Sequence, residues 1–228
     1  RVGTSKYKSA MEALIVNIRS LQDEKDNEAK IISLTSPTAL NGKSTTSKKL
    51  AETLSLLGNK VLLVDADFKR GGLGKSFDVK SISEKTFFDI NSSNLDSYRI
   101  ADNFYLIPRV KGLINSFHFI CNSQYPKFFN EIKNNFDYII FDTAPLLSVA
   151  DTSAILKLSD INLLVLRHEV NKIKEVKLTL DMFSQINIPV NGFIYNAYAK
   201  PTGYYGYYSL YRNYSYAYYS DKYLNDSY

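Results

Sequence analysis

Residues 31–44 read IISLTSPTALNGKS, and this stretch decides the fold. A short apolar run (Ile31, Ile32, Leu34) meets a Pro/Thr/Asn/Gly turn that ends in Gly42-Lys43-Ser44. A helix-compatible segment follows over residues 45–57. Strand, loop, Gly-Lys-Ser and helix, in that order, make a phosphate-binding P-loop. Backbone N–H groups at the loop and the helix N-terminus then face an anion. The Lys43 amine reaches the β/γ-phosphates, and the Ser44 hydroxyl is a Mg²⁺ ligand. Two features weaken the motif when it stands alone. Pro37 occupies the place where the usual pattern has its first glycine, and a serine at a helix start also serves as an ordinary cap.

Outward from this stretch, apolar runs alternate with helical patterns. Met11, Leu14, Ile15, Ile18 and Leu21 form a helical stripe. Leu50, Leu54 and Leu57 continue the helix after the loop, and Gly58-Asn59 stops it. Residues 61–64 are a buried parallel strand closed by Asp65. Residues 68–79 are glycine-rich and basic, hence a surface loop, and 83–90 a short helix. Strands are expected at 104–108, 138–141, 161–166 and 190–195, with helices at 127–134, 152–158 and 173–183. The alternation predicts an α/β fold, a doubly wound, mostly parallel sheet with helices on both faces. One domain is expected over 1–199, with a tail over 200–228.

Composition narrows the function classes. The net charge of +5 is mild and its lysines are spread along the chain, so nucleic-acid binding is not implied. A single cysteine, Cys121, rules out an internal disulfide and fits a reducing compartment. No apolar run approaches the ~20 residues of a membrane span. The chain opens with Arg1, as the soluble part of something longer would. Tyrosine usage is abnormal: of 18 tyrosines, 11 follow Gly203.

Carboxylates close two of the apolar runs. VLLVDAD carries Asp65 and Asp67, and DYIIFDTAP carries Asp142. In open α/β sheets ligands sit beyond the carboxyl ends of the strands. A carboxylate there is expensive to leave unpaired, and a metal ion beside a triphosphate supplies its partner. Helix capping is the alternative for any one of the three.

Together these pieces (SPTALNGKS, LLVDADFKRGG, FDYIIFDTAPLLSVADT, DINLLVLRHEVN and a tyrosine-rich C-terminus) closely resemble the cytoplasmic kinase domain of bacterial tyrosine kinases. That family controls capsule and exopolysaccharide export, and the resemblance runs over nearly the whole chain. It makes LLVDADFKRG a Walker A′ motif and IIFDTAP a Walker B motif. By this resemblance Ala39, Leu40, Asn41, Gly42, Lys43, Ser44 and Thr45 bind the phosphates of ATP. Ser44, Asp67 and Asp142 hold Mg²⁺. Asp65 and Asp67 serve the metal and the acceptor hydroxyl, with Asp65 preferred as the base. Asn196 matches an asparagine that contacts adenine in related ATPases, or is a turn residue. Lys69, Arg70 and Arg167 match family cations, or are solvated surface charge. The resemblance also implies a homo-oligomer that phosphorylates tails in trans, a cognate tyrosine phosphatase, and a membrane-spanning polysaccharide co-polymerase region or activator. The domain would then lie at the inner face of the bacterial plasma membrane. One motif departs from the family: where its first helix carries Glu-x-x-Arg-x-x-Arg for ring assembly, Glu12 is followed by Ile15 and Ile18, with Arg19 one place late.

The tail from Gly203 reads GYYGYYSLYRNYSYAYYSDKYLNDSY. Neither strand nor helix period fits it, so it is expected to be flexible. On its own it is a low-complexity tract whose tyrosines stack on partners. Attached to a kinase-like domain, Tyr204, Tyr205, Tyr207, Tyr208, Tyr211, Tyr214, Tyr216, Tyr218, Tyr219, Tyr223 and Tyr228 become phosphate acceptors. Roughly 25 residues at ~3.3 Å each span up to about 80 Å, enough to reach a neighbour's site. Two rival readings share the nucleotide motifs. A partition or division-site ATPase would carry an extra lysine early in the P-loop, and Thr38 stands there instead. A non-catalytic nucleotide-gated scaffold would keep the fold without the chemistry.

Overall fold

The computed structural model describes residues 2–21 and 28–198. The chain runs α1 (Val2–Ser20), β1 (Lys30–Thr35), α2 (Lys43–Leu56), β2 (Val61–Ala66), α3 (Leu73–Ser76) and α4 (Glu84–Phe88). It continues through β3 (Arg99–Ala101), β4 (Phe104–Ile107), α5 (Ser116–Cys121), α6 (Gln124–Ile132), β5 (Tyr138–Thr143), α7 (Asp151–Leu156), β6 (Ile161–Arg167), α8 (Ile173–Gln185) and β7 (Gly192–Asn196). It falls into two units, Arg1–Asn196 and Ala197–Tyr228. The tail tyrosines lie outside the described residues.

The strands form one seven-stranded sheet in the order β3-β4-β2-β5-β1-β6-β7. Every pairing is parallel except the edge pair β3–β4. From β1 the chain crosses β5 to reach β2, and from β5 it crosses β1 to reach β6. The connections after these two neighbouring strands therefore depart in opposite directions, which opens a crevice at their carboxyl ends.

Side chains alternate across the sheet, as the period of two requires. Ile32, Leu34, Val61, Leu63 and Ile140 pack with Leu50, Ala51 and Leu54 of α2 and with Ile15 and Ile18 of α1. Leu62, Val64, Ile139 and Phe141 face the other way, against α4–α7. There Phe87 is the hub of an aromatic cluster, stacked on Tyr125 with ring centroids 5.6 Å apart and meeting Phe119 edge-on at 5.2 Å. Full burial of such a ring contributes roughly 1.5–3 kcal/mol.

The expected stripe on α1 is seen in part: Met11, Ile15 and Ile18 are buried, whereas Leu21 is exposed. Ile15 and Ile18 thus serve this domain's own core. The 68–79 segment is a correction to the expected surface loop, because Leu73 is fully buried and begins the short helix α3. Strand β3 and helix α5 were not expected. β3 is three residues long with exposed ends, too short for any periodicity to register.

Candidate phosphate-binding site

The turn after β1 is held from behind by the ends of β6 and β7. An Arg167 Nη1–H donates to the Leu40 carbonyl at 2.9 Å, and Asn196 Nδ2 donates to the Asn41 carbonyl at 2.9 Å. The Asn41 side chain is buried and pairs with the Asn171 amide. Leu40 and Gly42 adopt left-handed backbone, with φ of 64° and 90°. At Gly42 a side chain is excluded twice, by that φ and because a Cβ would lie 2.0 Å from Asn196 Nδ2. Helix α2 then begins with no side-chain cap, and its first helical bond, from Thr46 N–H to the Gly42 carbonyl at 2.9 Å, leaves the amides of Lys43, Ser44 and Thr45 before it. Ser44 is therefore not the helix cap; its hydroxyl lies close enough to Asp142 to favour the ionised carboxylate.

A cavity of about 670 Å³ opens in front of this turn. Ala39, Leu40, Gly42, Lys43, Ser44 and Thr45 form its floor. Asp67 enters from β2, and three cations, Lys69, Arg70 and Arg167, line it as well. Asp67 sets up this wall by accepting the amides of Lys69 (3.2 Å) and Arg70 (2.8 Å), a local turn that bends the chain back over the site. Asn41, Asn196, Asp65 and Asp142 are outside the cavity lining. Asn196 packs on the loop from behind, and the two aspartates lie beneath it in the sheet.

Burial governs the charges. Lys43 is 7% exposed, and its amine donates to Ser36 Oγ at 3.0 Å. Burial lowers its pKa, opposed by the Asp142 and Asp67 carboxylates. Asp142 is fully buried; Ser47 donates to its Oδ1 at 3.2 Å, and its Oδ2 has no partner. Its pKa is pushed up to about 6, by burial first and also by Asp67, while Ser44, Lys43 and Ser47 hold it back. Asp65 is in register with Asp142 across the β2–β5 pair. Its Oδ2 accepts the Leu73 amide, the first of α3, at 3.1 Å, and its Oδ1 is unpaired. Burial, with the Asp142 charge next, raises its pKa to about 7. Gly71 passes over it so closely that a Cβ there would stand 2.3 Å from Asp65 Oδ1. Ser36 and Asn171 left no signal in the sequence. Ser47 could have been found, since it lies one helical turn beyond Lys43.

A left-handed glycine before an uncapped helix, a buried lysine behind it and acidic strand ends beside it define a nucleotide-binding P-loop domain of the α/β class. The chain belongs to the AAA domain family, which matches residues 29–194. Among curated relatives, the tyrosine-protein kinase ptk of Acinetobacter johnsonii is 32% identical over 169 residues, 73% of this chain and 23% of its own length. The putative tyrosine-protein kinase CapB of Staphylococcus aureus is 28% identical over 211 residues, 89% of this chain and 92% of its own. Apart from relatives of CapB's size, the chain spans about a quarter of the length of the curated relatives it matches. Among solved structures, the kinase domain of the Escherichia coli tyrosine kinase ETK aligns with a TM-score of 0.72 at 23% identity, over 85% of this chain and 78% of that one, which establishes a shared fold.

Proposed function

We propose that this chain is an ATP-dependent protein-tyrosine kinase that phosphorylates the tyrosines of its own C-terminal segment, from one copy to another. The observation that carries the reading is the joining of two features. Lys43, Ser44 and Asp67 converge on one cavity, and the same chain carries 11 tyrosines after Gly203. The kinase domain is taken as 1–199 and the acceptor tail as 200–228.

Residues of this chain fit a divalent cation. Asp142 keeps an unpaired buried oxygen, the Ser44 hydroxyl lies near the same carboxyl, and Asp67, just past the end of the adjoining strand, lines the cavity. Among the described residues no group of three His, Cys, Asp or Glu side chains could cage a metal, so the nucleotide phosphates would complete the coordination of Mg²⁺. When bound, the ion neutralises charge building on the β- and γ-phosphate oxygens. Lys43 and the α2 amides hold the phosphates, while Lys69, Arg70 and Arg167 offset charge at the mouth. A tail tyrosine oxygen attacks the γ-phosphorus, the bond from phosphorus to the β–γ bridging oxygen breaks, and ADP leaves. The phenolic proton passes to Asp67, the carboxylate that lines this cavity, rather than to the preferred Asp65, which is buried outside that lining. Positioning and charge neutralisation supply most of the rate in a loose phosphoryl-transfer transition state.

Each tyrosine phosphate adds about −1.5 to −2 charge. The tail sets Arg212 and Lys222 against Asp221 and Asp226, so a few phosphates make it strongly anionic and push neighbouring tails apart. In this reading the chain works as a homo-oligomer in capsule or exopolysaccharide export. It acts at the inner face of the plasma membrane with a membrane-spanning co-polymerase region or activator, and a tyrosine phosphatase resets it. Among the described residues no helix is long and apolar enough to cross a membrane. Incubation with ATP and Mg²⁺ followed by phosphotyrosine detection tests the proposal. A kinase labels residues 204–228, a partition-type ATPase releases phosphate without labelling, and a scaffold does neither.

A further inference from the structure

A second cavity, of about 340 Å³, lies on the far side of Asp65 from the P-loop turn, and the mechanism above makes no use of it. Its construction is specific. The backbone of 79–82 is pinned beside 109–111: Ile82 N–H donates to the Arg109 carbonyl at 3.1 Å, and Lys111 N–H to the Ile82 carbonyl at 2.8 Å. A second anchor, Val79 N–H to the Gly74 carbonyl at 2.8 Å, ties that segment to α3. Gly74 allows the approach, since a Cβ there would meet the Val79 carbonyl oxygen at 2.5 Å. These bonds bring Lys75, Lys80, Arg109 and Lys111 to one rim.

None of the four makes an ion pair among the described residues, and only Arg109 is anchored, by donating to the Lys69 carbonyl at 3.2 Å. Four cations face two carboxylates: Asp78 at the exposed edge, and Asp65, which lines the cavity with one oxygen already taken by the Leu73 amide. Unpaired cations gathered in a concavity attract an anion with several oxygens. The remaining walls come from Val79, Pro108, Gly71 and Gly74, with Ser81 beside them. A flat ring fits between such walls, and its charged end would lie at the rim.

We infer that this cavity binds an aryl phosphate, the phosphotyrosine of a tail from this chain or a second copy. The choice of an aromatic occupant rests on the kinase reading; the basic rim does not. A phosphorylated tail held here stays beside the site that modified it, and the cavity reads the state of the tail.

The full chain, freed of phosphate and saturated with a non-hydrolysable ATP analogue, is titrated with a fluorescent peptide of residues 213–220 carrying phosphotyrosine at 218. Binding at least tenfold tighter than that of the unphosphorylated peptide is expected. So is a loss of tenfold or more in Lys80→Glu/Lys111→Glu, two exposed positions outside the nucleotide cavity, with nucleotide affinity unchanged. Equal binding of the two peptides, or full affinity in the double variant, overturns the inference. Displacement by inorganic phosphate at the same concentration as by phenyl phosphate also overturns it, because the site would then take free phosphate. A synthetic peptide makes the result independent of whether the chain is itself a kinase.

Discussion

Asp65 on β2 and Asp142 on β5 are register partners across one parallel strand pair, and each keeps a buried oxygen without a partner among the described residues. The Asp142 charge raises the proton affinity of Asp65 across that pair. Most of what the site does follows from that pairing.

Stability should therefore depend on pH in an unusual direction. Both carboxyls titrate above the unfolded value of about 4, at about 7 for Asp65 and about 6 for Asp142. Between those limits the folded chain retains protons that the unfolded chain releases, so their contribution falls as pH rises from about 4 to about 7. Without nucleotide, Tm should drop by several degrees from pH 5 to pH 8, corresponding to an effect on the order of a few kcal/mol. Asp142→Asn should flatten the slope. Thermal melts across that range check it, and parallel slopes in the two proteins would contradict the assignment.

Gly42→Ala should weaken nucleotide binding at least tenfold and lower stability by about 1–3 kcal/mol, because φ of 90° is strained for alanine and the new Cβ runs into the Asn196 amide. Calorimetric titration with an ATP analogue reads the first effect, and denaturant melts read the second.

Tyr125→Phe should leave the fold intact and raise stability by about 1 kcal/mol. The Tyr125 hydroxyl is fully buried without a hydrogen-bond partner, and its ring is held by Phe87, Phe119 and Phe129. A fall in urea midpoint would mean that the hydroxyl has a partner in solution.

If transfer runs between copies, Lys43→Met protein mixed with an active chain lacking residues 203–228 should acquire phosphotyrosine. Mass spectrometry of the intact chain decides the point. An unlabelled tail would indicate transfer within one chain.

Much of the fold was legible because buried parallel strands announce themselves. Val61–Ala66 and Tyr138–Thr143 are apolar runs that end in acid, and both lie where the sequence put them. What escaped was local or non-periodic. Helix α5 is signalled only by Asn115, whose side chain accepts the His118 amide. Leu73 looked like part of a basic loop because its burial depends on the Asp65 carboxylate fixing its amide. At the site, residue types and spacing marked Lys43, Ser44 and the aspartates. The split between Asp67, in the nucleotide cavity, and Asp65, in the basic one, depends on how the chain turns after β2, and no spacing rule encodes that.

The most direct test of the central claim is phosphotyrosine on residues 204–228 after incubation with ATP and Mg²⁺, compared between the unaltered chain and Lys43→Met. Labelling of the unaltered chain, with loss of at least a hundredfold in the variant, is the result expected if the buried amine holds the transferred phosphate. Equal labelling of both, or none in the unaltered chain, would contradict the account.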